Sequence, residues 1–156
     1  MMTFNIPGFG ESQLEYLVMD YNGTLAVDGI FIAGVKERLT ALADKLELHI
    51  ITADTFGLVK KQVGALPVKL TIIKKEDQAQ EKLKYVHKLD AQKTVSIGNG
   101  RNDARMLEAA RIGIACLQAE GAAQEAVTRA DILVRDINDA LDLLLNPLRL
   151  KATLRN

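Results

Sequence analysis

The run Leu17-Val18-Met19-Asp20-Tyr21-Asn22-Gly23-Thr24-Leu25 constrains this chain more than any other stretch. Apolar residues leading straight into a carboxylate predict a buried strand over residues 15–19 that ends at Asp20. Gly23 and Thr24 then predict a tight turn. A carboxylate held at the carboxyl end of such a strand stands at the mouth of an open sheet, where ligands of α/β proteins bind. It can ligate a hard cation or attack phosphorus. Three later segments repeat the pattern of strand followed by polar turn: Ile50-Ile51-Thr52-Ala53-Asp54, a lysine around position 82, and Ile97-Gly98-Asn99-Gly100-Arg101-Asn102-Asp103.

Between these landmarks the hydrophobic period alternates between strand-like and helix-like. Residues 23–32 suit a small β-flap. Val35, Leu39, Leu42, Ala43 and Leu46 share one helical face. Strands are expected at 48–52, 68–73, 94–97, 113–116 and 132–134. Helices are expected at 76–89, 103–110, 122–128 and 137–145, and a further one reaching about Val63, capped by Asp54 or Thr55 and stopped by Gly64. Alternation of this kind implies βαβ units, mostly parallel pairing and right-handed crossovers. Asn146-Pro147 is expected to end the last helix, leaving a tail over 148–156 that frays or docks on another subunit, with fraying favoured.

A length of 156 residues suits one domain, residues 1–156, with its core at about 14–145 and a tail at 146–156. Twenty basic residues balance twenty acidic ones, which gives no general reason to expect nucleic-acid or anionic-membrane binding. One cysteine, Cys116, rules out an intrachain disulfide and reads as a small core residue. No apolar run approaches the roughly 20 residues that span a bilayer, and Met1 to Gly8 lacks the pattern of a secretory signal. The expectation is a cytoplasmic protein.

Each candidate site residue has a plain structural alternative. Asp20 alone can cap a turn, but Gly23 allows close backbone approach and successive turn N–H groups make an anion nest. Thr52 either caps the next helix or holds a phosphoryl oxygen at that helix's N-terminus. Asp54 caps or orients. Lys82 can neutralise Asp20 and a phosphoryl group, yet Lys74, Lys75, Lys84 and Lys88 surround it and pattern alone does not choose among them. Asn99, Asn102 and Asp103 present oxygens suited to Mg²⁺. The sequence contains no Walker loop and no Cys/His zinc pattern, and His49 and His87 read as structural.

Taken in order, the four segments resemble the four motifs of the haloacid dehalogenase (HAD) superfamily, and most nearly the phosphorylation domains of P-type ATPases and their soluble relatives. Asp20-Tyr21-Asn22-Gly23-Thr24 resembles their Asp-Lys-Thr-Gly-Thr. Gly98-Asn99-Gly100-Arg101-Asn102-Asp103 resembles their Gly-Asp-Gly-x-Asn-Asp. The likeness covers about residues 14–145 and implies a three-layer α/β/α Rossmann-like fold with a mainly parallel central sheet and no cap domain. It implies Asp20 as nucleophile, Thr52 as phosphoryl ligand and Lys82 as the cation, since Glu81-Lys82-Leu83-Lys84-Tyr85-Val86 matches the family spacing best. Mg²⁺ would be held by Asp20, Asp103 and the main-chain carbonyl of Asn22, with Asn99 able to contribute its side-chain oxygen.

Two departures from the family pattern matter. Phosphatases of the superfamily carry a general acid/base Asp where this chain has Asn22, and an amide cannot shuttle a proton. ATPases have Asp where this chain has Asn99, which removes a negative charge from the metal site. The resemblance therefore implies a Mg²⁺-dependent phosphohydrolase acting slowly on a phosphorylated small molecule or phosphoprotein. The alternative is a phosphate- or metal-binding regulatory module of the same fold that has lost turnover. Neither transport nor ATP use is implied. Capless relatives accept large substrates or close their site by oligomerising, which leaves a homodimer or homotetramer open.

Overall fold

In a computed structural model of the chain, residues 1–53 and 58–156 are described. The expected caps Asp54 and Thr55 lie outside the described residues. Six parallel strands form the central sheet: β3 (Tyr16–Asp20), β6 (Glu47–Thr52), β7 (Val68–Ile72), β8 (Thr94–Gly98), β9 (Ile112–Cys116) and β10 (Ile132–Val134). Their spatial order is β10-β9-β8-β3-β6-β7. Two antiparallel hairpins stand outside it: β1 (Met2–Ile6) with β2 (Gly10–Leu14), and the two-residue strands β4 (Ala26–Val27) and β5 (Ile30–Phe31). The second pair is the expected flap.

Helices cover both faces, giving a three-layer α/β/α arrangement. On one side, α1 (Val35–Ala43), α2 (Val59–Val63) and α6 (Ile137–Leu145) pack over Leu17, Met19, Leu48, Ile50, Val95, Ile97, Ile112 and Ile114. On the other, α3 (Gln78–Leu89), α4 (Ala104–Ala109) and α5 (Gln124–Arg129) cover Val18, Ile51 and Ala115. Odd and even positions of each strand thus go to opposite faces, as the pleat requires. All five residues of β8 and of β9 are buried, the continuous apolar reading expected of a parallel sheet covered twice. Each large side chain in this core contributes about 1.5–3 kcal/mol. Cys116 is buried within it.

Both ends of the chain depart from expectation. Alternation of Met2, Phe4 and Ile6 with Thr3 and Asn5 makes a strand, and Pro7-Gly8 begins the turn of a hairpin. The expected frayed tail is instead helix α7 (Pro147–Leu154). Proline at the first helical position starts this helix as readily as it ends the one before. Leu150 is fully buried, and the Asn156 N–H donates to the Pro7 carbonyl at 3.1 Å, so the two termini pack together. Among the described residues, no helix is long and apolar enough to cross a membrane.

Candidate active site

The order in which the chain adds strands reverses between β3 and β8, although all the strands run parallel. From β3 the chain winds outward through β6 and β7, then returns to place β8 on the opposite flank of β3. Such a switch point opens a crevice beyond the strand ends. Asp20 is the last residue of β3, and Gly98 is the last of β8. Ile51 lies opposite Asp20 in the neighbouring strand, so Thr52 stands one residue further out at the same mouth, where it is buried. Asp20 shares the parity of Val18, and its side chain therefore faces the layer that holds α3.

Lys82 comes from that layer. It belongs to the inward stripe of α3 with Val86 and is fully buried, whereas Lys74, Lys75, Lys84 and Lys88 are exposed. Its Nζ lies 2.5 Å from Asp20 Oδ1 and 2.7 Å from Asp103 Oδ1. Residues 62 and 21 positions from Lys82 thus meet at one ammonium group. Burial, and next the charge of Asp103, push the Asp20 carboxyl up to about 6 against the opposing pull of Lys82. Burial alone would lower Lys82, but the charges of Asp103 and Asp20 outweigh it and hold the ammonium above its ordinary value.

The Gly98–Asp103 turn is built around the Asp103 carboxylate. Asp103 Oδ2 accepts the N–H groups of Asn99 at 3.0 Å and Gly100 at 2.8 Å. A Cβ on residue 98 would come 2.5 Å from Asp103 Cγ, so glycine there lets the side chain fold back. Thr24, also buried, reaches Asp20 Oδ2 at 3.4 Å and Asn99 Oδ1 at 3.2 Å through its hydroxyl. Asn99 Nδ2 donates to the Gly121 carbonyl at 3.0 Å, which turns the Asn99 oxygen toward Thr24. Asn102 sits aside, donating through Nδ2 to Gln78 Oε1 at 2.8 Å.

The expected anion nest is partly closed. Gly23 N–H donates to the Ala26 carbonyl at 2.8 Å and Thr24 N–H to the Tyr21 carbonyl at 3.2 Å, because the tight turn uses its own amides. Thr24 therefore offers its hydroxyl and not its N–H. Tyr21, buried, donates its hydroxyl to the Gly29 carbonyl at 2.9 Å and ties the flap to the loop that follows Asp20. His49 is buried against Tyr85, and His87 is exposed on the last turn of α3.

These oxygens fit a hard divalent cation. Asp20 and Asp103, both buried, meet at the Lys82 ammonium, and Asp20 Oδ2 and Asn99 Oδ1 both face the Thr24 hydroxyl. Asn22 Oδ1 is buried and has no hydrogen-bond partner among the described residues. Among those residues, no three His, Cys, Asp or Glu side chains gather in a metal cluster. Mg²⁺ characteristically makes do with one or two carboxylates, waters and substrate phosphate oxygens.

One segment that the sequence reading passed over grips the site from outside. Gln118 donates through Nε2 to the carbonyls of Gly23 at 2.9 Å and Thr24 at 2.5 Å, and accepts the Ile137 N–H through Oε1 at 3.0 Å. Glu120 accepts the flap N–H of Asp28 at 2.9 Å. Nothing local in Leu117-Gln118-Ala119-Glu120-Gly121 signals this, since its partners in the Asp20 loop and the flap lie 92–95 positions away.

The family model of haloacid dehalogenase-like hydrolases matches residues 67–140. Two proteins of Methanocaldococcus jannaschii, both described only as uncharacterized, are close in sequence. MJ0073 is 48% identical over 79 residues, which are 48% of this chain and 85% of that protein. MJ0072 is 51% identical over 42 residues, 27% of this chain and 96% of that protein. Among solved structures, 3-deoxy-D-manno-octulosonate 8-phosphate phosphatase from Moraxella catarrhalis, bound to magnesium, phosphate and its KDO ligand, superposes with a TM-score of 0.71 at 20% identity, covering 91% of this chain and 94% of that one. The cobalt-bound phosphatase of the same kind from Haemophilus influenzae gives 0.72 at 14% identity, covering 92% and 94%. At such identities the structural likeness speaks for the fold, and the family model speaks for the family: the chain belongs to the haloacid dehalogenase-like hydrolases.

Proposed function

We propose that this chain is a Mg²⁺-dependent phosphohydrolase that works through an aspartyl-phosphate on Asp20, in the cytoplasm and on a phosphorylated small molecule. The single observation that carries the reading is the meeting of Asp20, Lys82 and Asp103 at the sheet's switch point. Asp20 Oδ1 is held by Lys82, which leaves Oδ2, with its longer 3.4 Å contact to Thr24, as the attacking oxygen. Attack forms an O–P bond and breaks the ester P–O bond, and the departing alkoxide takes its proton from water. A second water then cleaves the acyl phosphate, releasing inorganic phosphate and restoring Asp20. Lys82 neutralises charge on the phosphoryl oxygens, and Thr52 hydrogen-bonds one of them.

Mg²⁺ would be held by Asp20, Asp103 and the main-chain carbonyl of Asn22, with Asn99 supplying a neutral oxygen. When bound it neutralises phosphoryl charge. Asn22 occupies the position of the acid/base and cannot relay a proton, so hydrolysis is slower by roughly 10²–10⁴ than with a carboxyl group there. The same residue, with Asn99, supports a second reading in which Asp20 accepts phosphate or a metal in a regulatory module without sustained turnover.

The test is release of phosphate from a generic phosphomonoester, with and without Mg²⁺, by wild type and Asp20→Asn. Metal-dependent release by wild type and none by the variant is expected. Equal slow release by both removes the enzyme reading. Acetyl phosphate labelling of Asp20 without turnover selects the regulatory one.

A further inference from the structure

We propose that Gln118 is a positioning residue that sets the nucleophile loop, an inference that rests on the hydrolase reading for its kinetic consequence and on geometry for its structural one. The side-chain amide meets two carbonyls, of Gly23 and Thr24, and one N–H, of Ile137. A primary amide has donors on nitrogen and acceptors on oxygen. With the oxygen fixed by Ile137 N–H at the start of α6, the nitrogen must face the loop, so one orientation satisfies all three partners. The helix layer therefore holds the loop at a set height above the sheet.

What the loop then presents follows from its own bonds. Thr24 carries the hydroxyl that faces Asp20 Oδ2 and Asn99 Oδ1. Its carbonyl is one of the two that Gln118 holds. The Asn22–Gly23 peptide, whose Asn22 carbonyl is proposed to face the metal, sits just before the other. The same segment fixes Asn99 through the Gly121 carbonyl and receives the Asn99 carbonyl on the Ala123 N–H at 2.8 Å. Gln118 thus lies at a point where both halves of the site are referred to one support. The Gly23 and Thr24 amides point back into the turn and cannot provide that support themselves.

Two variants test this. Gln118→Met keeps the length of the side chain and removes its donors. Gln118→Glu keeps the shape and, ionised, sets an acceptor against two carbonyls. Both are compared with the parent by steady-state phosphate release, by thermal melting, and by hydrogen exchange of residues 21–26. The expected result is a fall in kcat of about 10- to 100-fold, the scale of a misplacement near 1 Å. KM should stay within about threefold, and exchange of residues 21–26 should quicken while the β8 and β9 amides keep their protection.

Unchanged kcat in both variants, or unchanged exchange in the loop, overturns the assignment. A loss of protection throughout the sheet in both variants overturns it too, because the side chain would then hold the fold and not the loop. If the parent itself releases no more phosphate than Asp20→Asn, the hydrolase reading falls, and the exchange measurement alone decides on Gln118.

Discussion

Gly23 lies directly against the Asn99 amide: a Cβ at position 23 would stand 2.5 Å from Asn99 Nδ2 and 2.8 Å from its oxygen. The same residue has φ of +79°, where side chains other than glycine are strained. Gly23→Ala therefore meets two obstacles, one conformational and one steric, and the second falls on a residue of the opposite site loop. A loss of about 1–3 kcal/mol in urea unfolding is expected, from the strained backbone. Phosphate release should fall further than that loss of stability explains, because Asn99 must move. A variant as stable and as active as the parent would show that the loop relaxes without cost.

Lys82 holds two buried carboxylates, and its own side chain is 1% exposed. Removing one partner of a buried ionic group leaves uncompensated charge, which costs about 3–5 kcal/mol. Lys82→Met keeps most of the volume and should lose that much at pH 7.5, with phosphate release abolished. Adding Asp20→Asn to it should recover part of the stability, since one of the two stranded charges is gone. If the single variant unfolds in urea within 1 kcal/mol of the parent, the triad does not hold the fold together as described.

The same lysine shows where the sequence could and could not be read. Asp20, Thr52 and Asp103 announce themselves because each closes or follows an apolar strand, and the topology of alternating strands and helices brings such ends together. Lys82 lacks that signal. It sits among five lysines in fifteen residues of sequence, from Lys74 to Lys88, and only burial separates it from the rest. Hydrophobic pattern does not single it out, and the clue the sequence offers is the family spacing of Glu81-Lys82-Leu83-Lys84-Tyr85-Val86. Gln118 left no trace at all, because its partners are fixed by the packing of α6 against the site and not by its neighbours. At the ends, the alternation in Met2–Ile6 and the proline at the start of α7 were ordinary local signals outweighed by their position near the termini.

Asn22 Oδ1 is buried and unpaired among the described residues, at the position that would supply acid and base. Asn22→Asp changes one atom and gives the site a group that can pass a proton to the leaving alcohol and take one from the attacking water. Multiple-turnover hydrolysis should rise by about 10²–10⁴-fold, and an aspartyl-phosphate formed from acetyl phosphate should decay faster by a similar factor. A rate unchanged within twofold would mean that proton transfer is not what limits this protein.

His49 gives a pH dependence of stability that is independent of the site. It is buried on β6, where Glu47 Oε1 lies 2.9 Å from Nε2 and Lys69 Nζ lies 2.6 Å from the same oxygen. From α3, the Tyr85 hydroxyl is 2.9 Å from Nδ1 and accepts from the Thr71 hydroxyl at 3.2 Å, which leaves its own proton for His49. From β3, the Tyr16 ring stands edge-on at 6.0 Å. Burial pushes the imidazole below its ordinary value, and the nearby Glu47 charge opposes this only in part. The unfolded chain then takes up the proton first. The contribution to stability is complete above the unfolded value of about 6.5 and shrinks as the pH falls below it. His49→Gln removes the titration, so the stability gap between parent and variant in urea should narrow from pH 7.5 to pH 5.5, with the parent losing more. A gap that is the same at both pH values would mean that His49 takes its proton as easily inside the fold as outside it.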